Sequence, residues 1–134
     1  MTLQELNKTC FRGNLGNLAK KIMKFLVKHY AEEDTLIYVN GYRVSYAGRD
    51  WHADHEKFDW NKIVVEENMD PKRYFEYAGK YLSMSFEGPF YDILNYDWEF
   101  GSCEKIEKEF SELLNKFGFY YELGNAWNLT LAKL

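Results

Sequence analysis

The sequence predicts an α+β fold: a mostly antiparallel sheet of five to six strands, with two main amphipathic helices packed on one face. Three observations predict it. Asn40-Gly41 sits between two β-rich runs, the favoured pair for a tight hairpin. Two long stretches, one early and one late, place apolar residues at three- and four-residue steps. The remaining strand-like runs come mostly as neighbours joined by short turns, which favours antiparallel pairing.

Residues 1–14 are polar and carry no predicted element. The first helix spans 15–30, where Leu15, Leu18, Ile22, Phe25, Leu26 and His29 form one stripe. Lys20, Lys24 and Lys28 fall on the opposite side. Thr35–Val39 and Tyr42–Tyr46 flank the Asn-Gly turn, a register that sets Ile37 against Val44 and Val39 against Tyr42. Residues 47–61 are irregular, and a strand follows over 63–67. Asp70 caps and Pro71 starts a short helix that Gly79 ends. In 81–87, Leu82, Met84 and Phe86 alternate with Ser83, Ser85 and Glu87, the pattern of a half-buried strand. Gly88-Pro89 leads into a short helix over 89–96. Ser102 is the expected cap of the last helix, 103–117, whose stripe is Ile106, Phe110, Leu113, Leu114 and Phe117. Strands 119–123 and 127–132 close the chain around a turn at Gly124-Asn125.

Length and composition bound the rest. The 134 residues read as one domain, 1–134, long enough to bury an ordinary core. The 46% hydrophobic content and two prolines exclude a disordered or collagen-like chain. Cys10 and Cys103 are too few for a disulfide scaffold and lack metal-site spacing. Residues 1–30 do not read as a secretory signal, and no apolar run is long enough to span a bilayer. A cytoplasmic location with free thiols is therefore expected, and Asn128-Leu129-Thr130 reads as a chance match to a glycosylation acceptor.

The net charge of −4 hides a segregation. Residues 1–30 hold six basic side chains and one acid, a balance of +5. Residues 31–100 hold fifteen acids and seven basic residues, a balance of −8. Such asymmetry steers charged partners but does not determine a fold.

Catalytic motifs are weak. Asp50-Trp51-His52-Ala53-Asp54-His55 reads D-x-H-x-D-H, one residue from the H-x-H-x-D-H ligand run of metallo-β-lactamase-like hydrolases. Imidazoles and carboxylates suit zinc or iron with an open position for water. Against a metal-dependent hydrolase at Asp50–His55 stand the aspartate in place of the first histidine, the length of the chain, and His29, which lies on an apolar helix stripe. Gly13-Asn14-Leu15-Gly16 lacks the preceding strand and third glycine of a dinucleotide site. Cys103 starts a helix, but Glu104 and Glu107 beside it oppose a low thiol pKa. Glu66-Glu67 and Glu87 read as acids on the solvent side of strands. No catalytic residue, metal or cofactor is assigned.

Binding residues are better marked. The 25 rings, 11 Tyr, 10 Phe and 4 Trp, exceed what a core of this size needs. Phe25, Phe86, Phe110, Phe117 and Trp127 lie on apolar faces and belong inside. Tyr38, Trp51, Trp60, Tyr91, Tyr96, Trp98 and Phe100 fall in loops or on the outer side of strands, and exposed Tyr and Trp anchor binding surfaces. Interleaved acids make two candidate partner-binding stretches. One holds Asp50, Trp51, Asp54, Asp59 and Trp60; the other holds Tyr91, Asp92, Asp97, Trp98 and Glu99. A second candidate is the basic helix 8–28, where Lys20, Lys21, Lys24 and Lys28 would contact nucleic acid.

Three segments carry a resemblance: 74–78 (YFEYA), 82–91 (LSMSFEGPFY) and 119–129 (FYYELGNAWNL). Together they resemble a group of small α+β proteins of Firmicutes phages and mobile elements, across about half the chain, residues 70–130. The resemblance transfers no catalytic residue. It implies a context in which small proteins bind and inhibit a host defence complex, such as a CRISPR nuclease. The expected function is thus a non-enzymatic protein-binding inhibitor, acting through the acidic and aromatic surface on a protein or ribonucleoprotein. The alternatives are a nucleic-acid binder using helix 8–28 and the hydrolase above.

Overall fold

The computed structural model describes residues 1–48, 57–95 and 101–134. In chain order its elements are α1 (Leu3–Lys8), α2 (Gly13–Lys28), β1 (Thr35–Val39), β2 (Tyr42–Tyr46), β3 (Ile63–Glu66), β4 (Leu82–Phe86), α3 (Pro89–Leu94), α4 (Gly101–Lys116), β5 (Phe119–Asn125) and β6 (Asn128–Lys133). The six strands form one antiparallel sheet in the order β3-β2-β1-β4-β6-β5. The fold is α+β, as the sequence predicts.

The Asn-Gly hairpin forms in the expected register, Ile37 opposite Val44 and Val39 opposite Tyr42. Asn40 and Gly41 take φ of 53° and 85°, the left-handed pair that this turn requires. The Asn40 side-chain amide also donates to the carbonyls of Cys10 and Arg12, so the turn anchors the entry to α2. On its other side β1 pairs with β4, Ile37 opposite Met84, a contact between distant parts of the chain.

One sheet face carries Ile37, Val39, Val44, Leu82, Met84, Phe86, Leu129 and Leu131 into the main core. Leu18, Ile22, Phe25 and Leu26 of α2, and Phe110 and Leu114 of α4, close over it. Phe25, Phe90 and Phe110 meet at its centre, with ring centroids 5.2–6.4 Å apart. Across the surface Glu109 of α4 accepts from Lys28 at 2.8 Å and lies 2.7 Å from His29 Nε2. Burial works against the Glu109 anion, but the Lys28 and His29 hydrogen bonds outweigh it and hold its carboxyl below the ordinary value. A lowered carboxylate pKa contributes stability above the ordinary value and loses it as pH falls through the lowered one. Glu109→Gln is therefore expected to remove under about 1 kcal/mol at pH 7, because the pair is half exposed. Urea unfolding at pH 7 and pH 3 checks this: the gap between the two chains should narrow at acid pH.

The opposite sheet face is covered in part by residues 69–81. Phe75 is buried there, edge-on to Tyr38 and Trp127 at 5.4 and 6.1 Å. The Thr130 hydroxyl oxygen accepts from the Gly79 amide at 2.8 Å and from the Ser83 hydroxyl at 3.1 Å. The alternation in 81–87 predicts serines facing solvent; Ser83 is instead 1% exposed, because this segment lies over it.

Several expectations change. The N-terminal segment forms α1, whose Thr2 side chain accepts from the Glu5 amide. Six residues bury only Leu6, too few for a helical stripe to show in the sequence. The helix expected from Asp70 to Gly79 is only a 3₁₀ turn, Pro71–Arg73. Its Asp70 cap forms, but the chain then continues in irregular turns that bury Phe75 on the sheet. The last hairpin turns at Ala126-Trp127, and Gly124 becomes a bulge in β5. A side chain at Gly124 would meet Tyr77 Cβ at 2.6 Å, so packing rather than turn geometry requires that glycine. Ser102 lies within the first turn of α4, which begins at Gly101. Tyr38 is 3% exposed rather than a surface ring, and Trp127 packs on the outer sheet face rather than in the main core.

Candidate protein-interaction site

The acidic and aromatic character expected of two loops recurs on the outer sheet face. A groove of about 250 Å³ is lined by Asp34, Leu36, Ser85, Glu87 and Trp127. Its geometry follows from strand pairing. Thr35 opposes Phe86 in the β1–β4 ladder, so the acids flanking that pair fall side by side. The Glu87 amide donates to the Asp34 carbonyl at 3.2 Å. Asp34 has φ of 54°, which aspartate tolerates better than most residues. Gly88 permits the approach, because a Cβ there would lie 2.4 Å from the Glu33 carbonyl oxygen.

Trp127 is fixed by its neighbours. Its carbonyl accepts from the Phe86 amide at 2.8 Å, and its ring meets Phe75 edge-on. The Asn95 side-chain amide donates to the carbonyls of Tyr91 and Ala126, at 3.0 and 2.6 Å. That bridge ties α3 to the turn bearing Trp127. Tyr91 and Asp92 are exposed on α3, beside this edge. A half-buried tryptophan beside acids that, among the described residues, form no ion pair suits a partner with a basic, partly apolar surface.

The expected site residues separate. Tyr91 and Asp92 do not line the groove just described; they are exposed on α3, which the Asn95 side chain ties to the turn bearing Trp127. Asp59 and Trp60 belong to another neighbourhood. The Asp59 carboxylate accepts from the Asn61 amide at 2.9 Å. The Trp60 ring packs on Phe58 and Phe11 at 4.6 and 6.0 Å, with the Lys24 ammonium 5.3 Å from its centroid. Asp50, Trp51, Asp54, Asp97, Trp98 and Glu99 lie outside the described residues, as do His52, His55, Tyr96 and Phe100. Of the lysines, Lys20 donates to the Asn7 side chain at 2.8 Å and Lys28 pairs with Glu109.

His29 is committed to Glu109 and to the Phe25 ring, 4.8 Å away. Among the described residues no three His, Cys, Asp or Glu side chains cluster as metal ligands would. Cys10 is fully buried and its thiol is pushed up by that burial, whereas Cys103 is half-buried. No described helix is long and apolar enough to cross a membrane.

The sequence gives no direct signal for Asp34, Leu36, Glu87 and Trp127 as one surface, since β1, β4 and β6 meet only through long-range pairing. Nor does it mark a cleft of about 530 Å³ at the Asn40-Gly41 turn, where Lys72, Arg73 and Lys80 stand near Tyr38 and Tyr81. Beside that cleft, Arg43 donates to Glu66 and to the Tyr38 hydroxyl, which hold its pKa above the usual value. Compared with known proteins, the chain matches no family model, no curated protein and no solved structure.

Proposed function

We propose that this chain is a non-enzymatic interaction protein that docks on a basic partner through its acidic and aromatic edge. The observation that carries the reading is the Asp34–Glu87 pair beside the half-buried Trp127, at one end of the outer sheet face. Acids at a rim accelerate encounter with a basic surface, and a fixed ring supplies an anchor. The finer reading makes that partner a nucleic-acid-guided host nuclease, as the sequence resemblance implies. Such nucleases hold their heteroduplex in a positively charged channel that an acidic surface complements.

The test uses a guide-loaded CRISPR nuclease and a triple variant, Asp34→Asn, Glu87→Lys and Asp92→Lys. Asparagine keeps the left-handed backbone at position 34 available. The native chain is expected to co-elute with the nuclease and suppress cleavage, and the variant to bind at least tenfold more weakly with an unchanged melting temperature. Failure of the native chain to bind removes the nuclease reading. Unchanged binding by the folded variant removes the acidic surface.

A further inference from the structure

The lysine face of α2 is not a plain solvated ridge. Lys20, Lys21 and Lys24 form one wall of a groove of about 400 Å³, with Asn17, Trp60 and Phe117 as its other lining residues. Among the described residues no carboxylate lines it. A second groove of about 340 Å³ continues from the shared Lys21 and Lys24 toward Lys28 and Lys116, over Phe25 and Leu113. Its acids are Glu109 and Glu112, and Glu109 is already engaged by Lys28 and His29. The two concavities adjoin at the shared Lys21 and Lys24: the charged lining of the first is all lysine, and that of the second is partly neutralised.

We infer that these adjoining grooves bind single-stranded nucleic acid. The site goes beyond the acidic edge proposed above and shares no residue with it. Lysines four apart on a helix rise about 6 Å along its axis, a step that follows the phosphates of an extended strand. Cations alone would serve any polyanion. The rings narrow the choice, because Trp60 and Phe117 line the first groove, and bases reach such rings only when they are unpaired. Trp60 is held by Phe58 and Phe11, so it is a prepared stacking platform rather than a mobile surface ring. Lys24 stands over that ring and is placed to exchange it for a phosphate as a base arrives.

Fluorescence anisotropy with the full chain and labelled oligodeoxythymidine tests the inference, beside a duplex of equal length and a polyglutamate competitor. The expected result is binding at 50 mM salt that is at least tenfold tighter for the single strand than for the duplex. With three or four phosphates engaged, log K should fall against log salt with a slope of about −2 to −3. Lys21→Glu with Lys24→Glu should abolish binding with the fold intact by thermal melting. Trp60→Phe, which keeps an aromatic ring against Phe58, should weaken binding and remove most of the tryptophan quenching. No binding at 50 mM salt overturns the inference, as does unchanged affinity in the lysine variant. Equal affinity for duplex, or displacement by polyglutamate at matched charge, overturns it in favour of a general polyanion or acidic-protein surface. None of these outcomes touches the acidic edge, whose residues stay unchanged throughout.

Discussion

Alanine at Gly16 is expected to lower the melting temperature by about 10 °C, the reverse of what the same change does in an ordinary helix. Gly16 lies early in α2 with helical geometry, where Gly→Ala elsewhere adds up to about 1 kcal/mol of stability. Here the new Cβ would sit 2.0 Å from the carbonyl carbon of Phe11 and 2.3 Å from its oxygen. Those are backbone atoms, so no rotamer relieves the clash. Phe11 cannot retreat cheaply, because its ring is 1% exposed and its amide donates to the Leu6 carbonyl at 2.8 Å. The segment joining α1 to α2 must therefore lift from the core. Overpacking of this kind costs roughly 3 kcal/mol, the upper end of the usual range. For a domain of this size that converts to the shift named above, at about 3–4 °C per kcal/mol. Thermal and urea unfolding measure it, and a melting temperature within 2 °C of the native value would refute the close approach.

Phe110→Ala is the second large effect, expected to cost about 3–5 kcal/mol. Phe110 is fully buried, and its ring lies 5.5 Å from Phe25, 5.2 Å from Phe90 and 5.6 Å from Tyr121. One ring thus joins α4 to α2, to α3 and to β5. Removing it leaves a cavity bordered by three aromatic faces, which do not collapse easily. Against a typical total of 5–15 kcal/mol, the loss takes a large share of the stability. Phe110→Leu should cost about 1–2 kcal/mol, since most of the volume stays. Urea unfolding separates the cases: both midpoints should fall with little change in slope. A cost below 1 kcal/mol for the alanine variant would mean that Phe110 is not the junction described.

Periodic elements were legible in the sequence, whereas elements recognised by one or two residues were legible only where the backbone itself demands those residues. The stripes of α2 and α4 repeat several times, so their ends shift by only two residues. Asn40-Gly41 is read correctly because the turn's backbone requires that pair. Gly124-Asn125 looks equivalent, yet Tyr77 claims the space above Gly124, and the turn moves two residues on. Asp70-Pro71 does start a turn, but the burial of Phe75 outweighs continuation of a short helix.

The candidate sites divide the same way. The lysines of α2 are spaced by the helix itself, so their common face follows from the sequence alone. Their placement beside Trp60 and Phe117 does not, because the stretch carrying Trp60 and the last turn leaving α4 meet α2 only in the folded chain. The acidic edge depends still more on the fold. Asp34 and Glu87 become neighbours through the β1–β4 ladder, and Trp127 joins them through β6. Local periodicity reports which side of each segment is buried, and from it the α+β class, the hairpin and the charged helix face were determined. Which strands lie side by side is decided by the total free energy of closing the sheet over one core. That global term, invisible to any local window, decided which acids, lysines and rings share a surface.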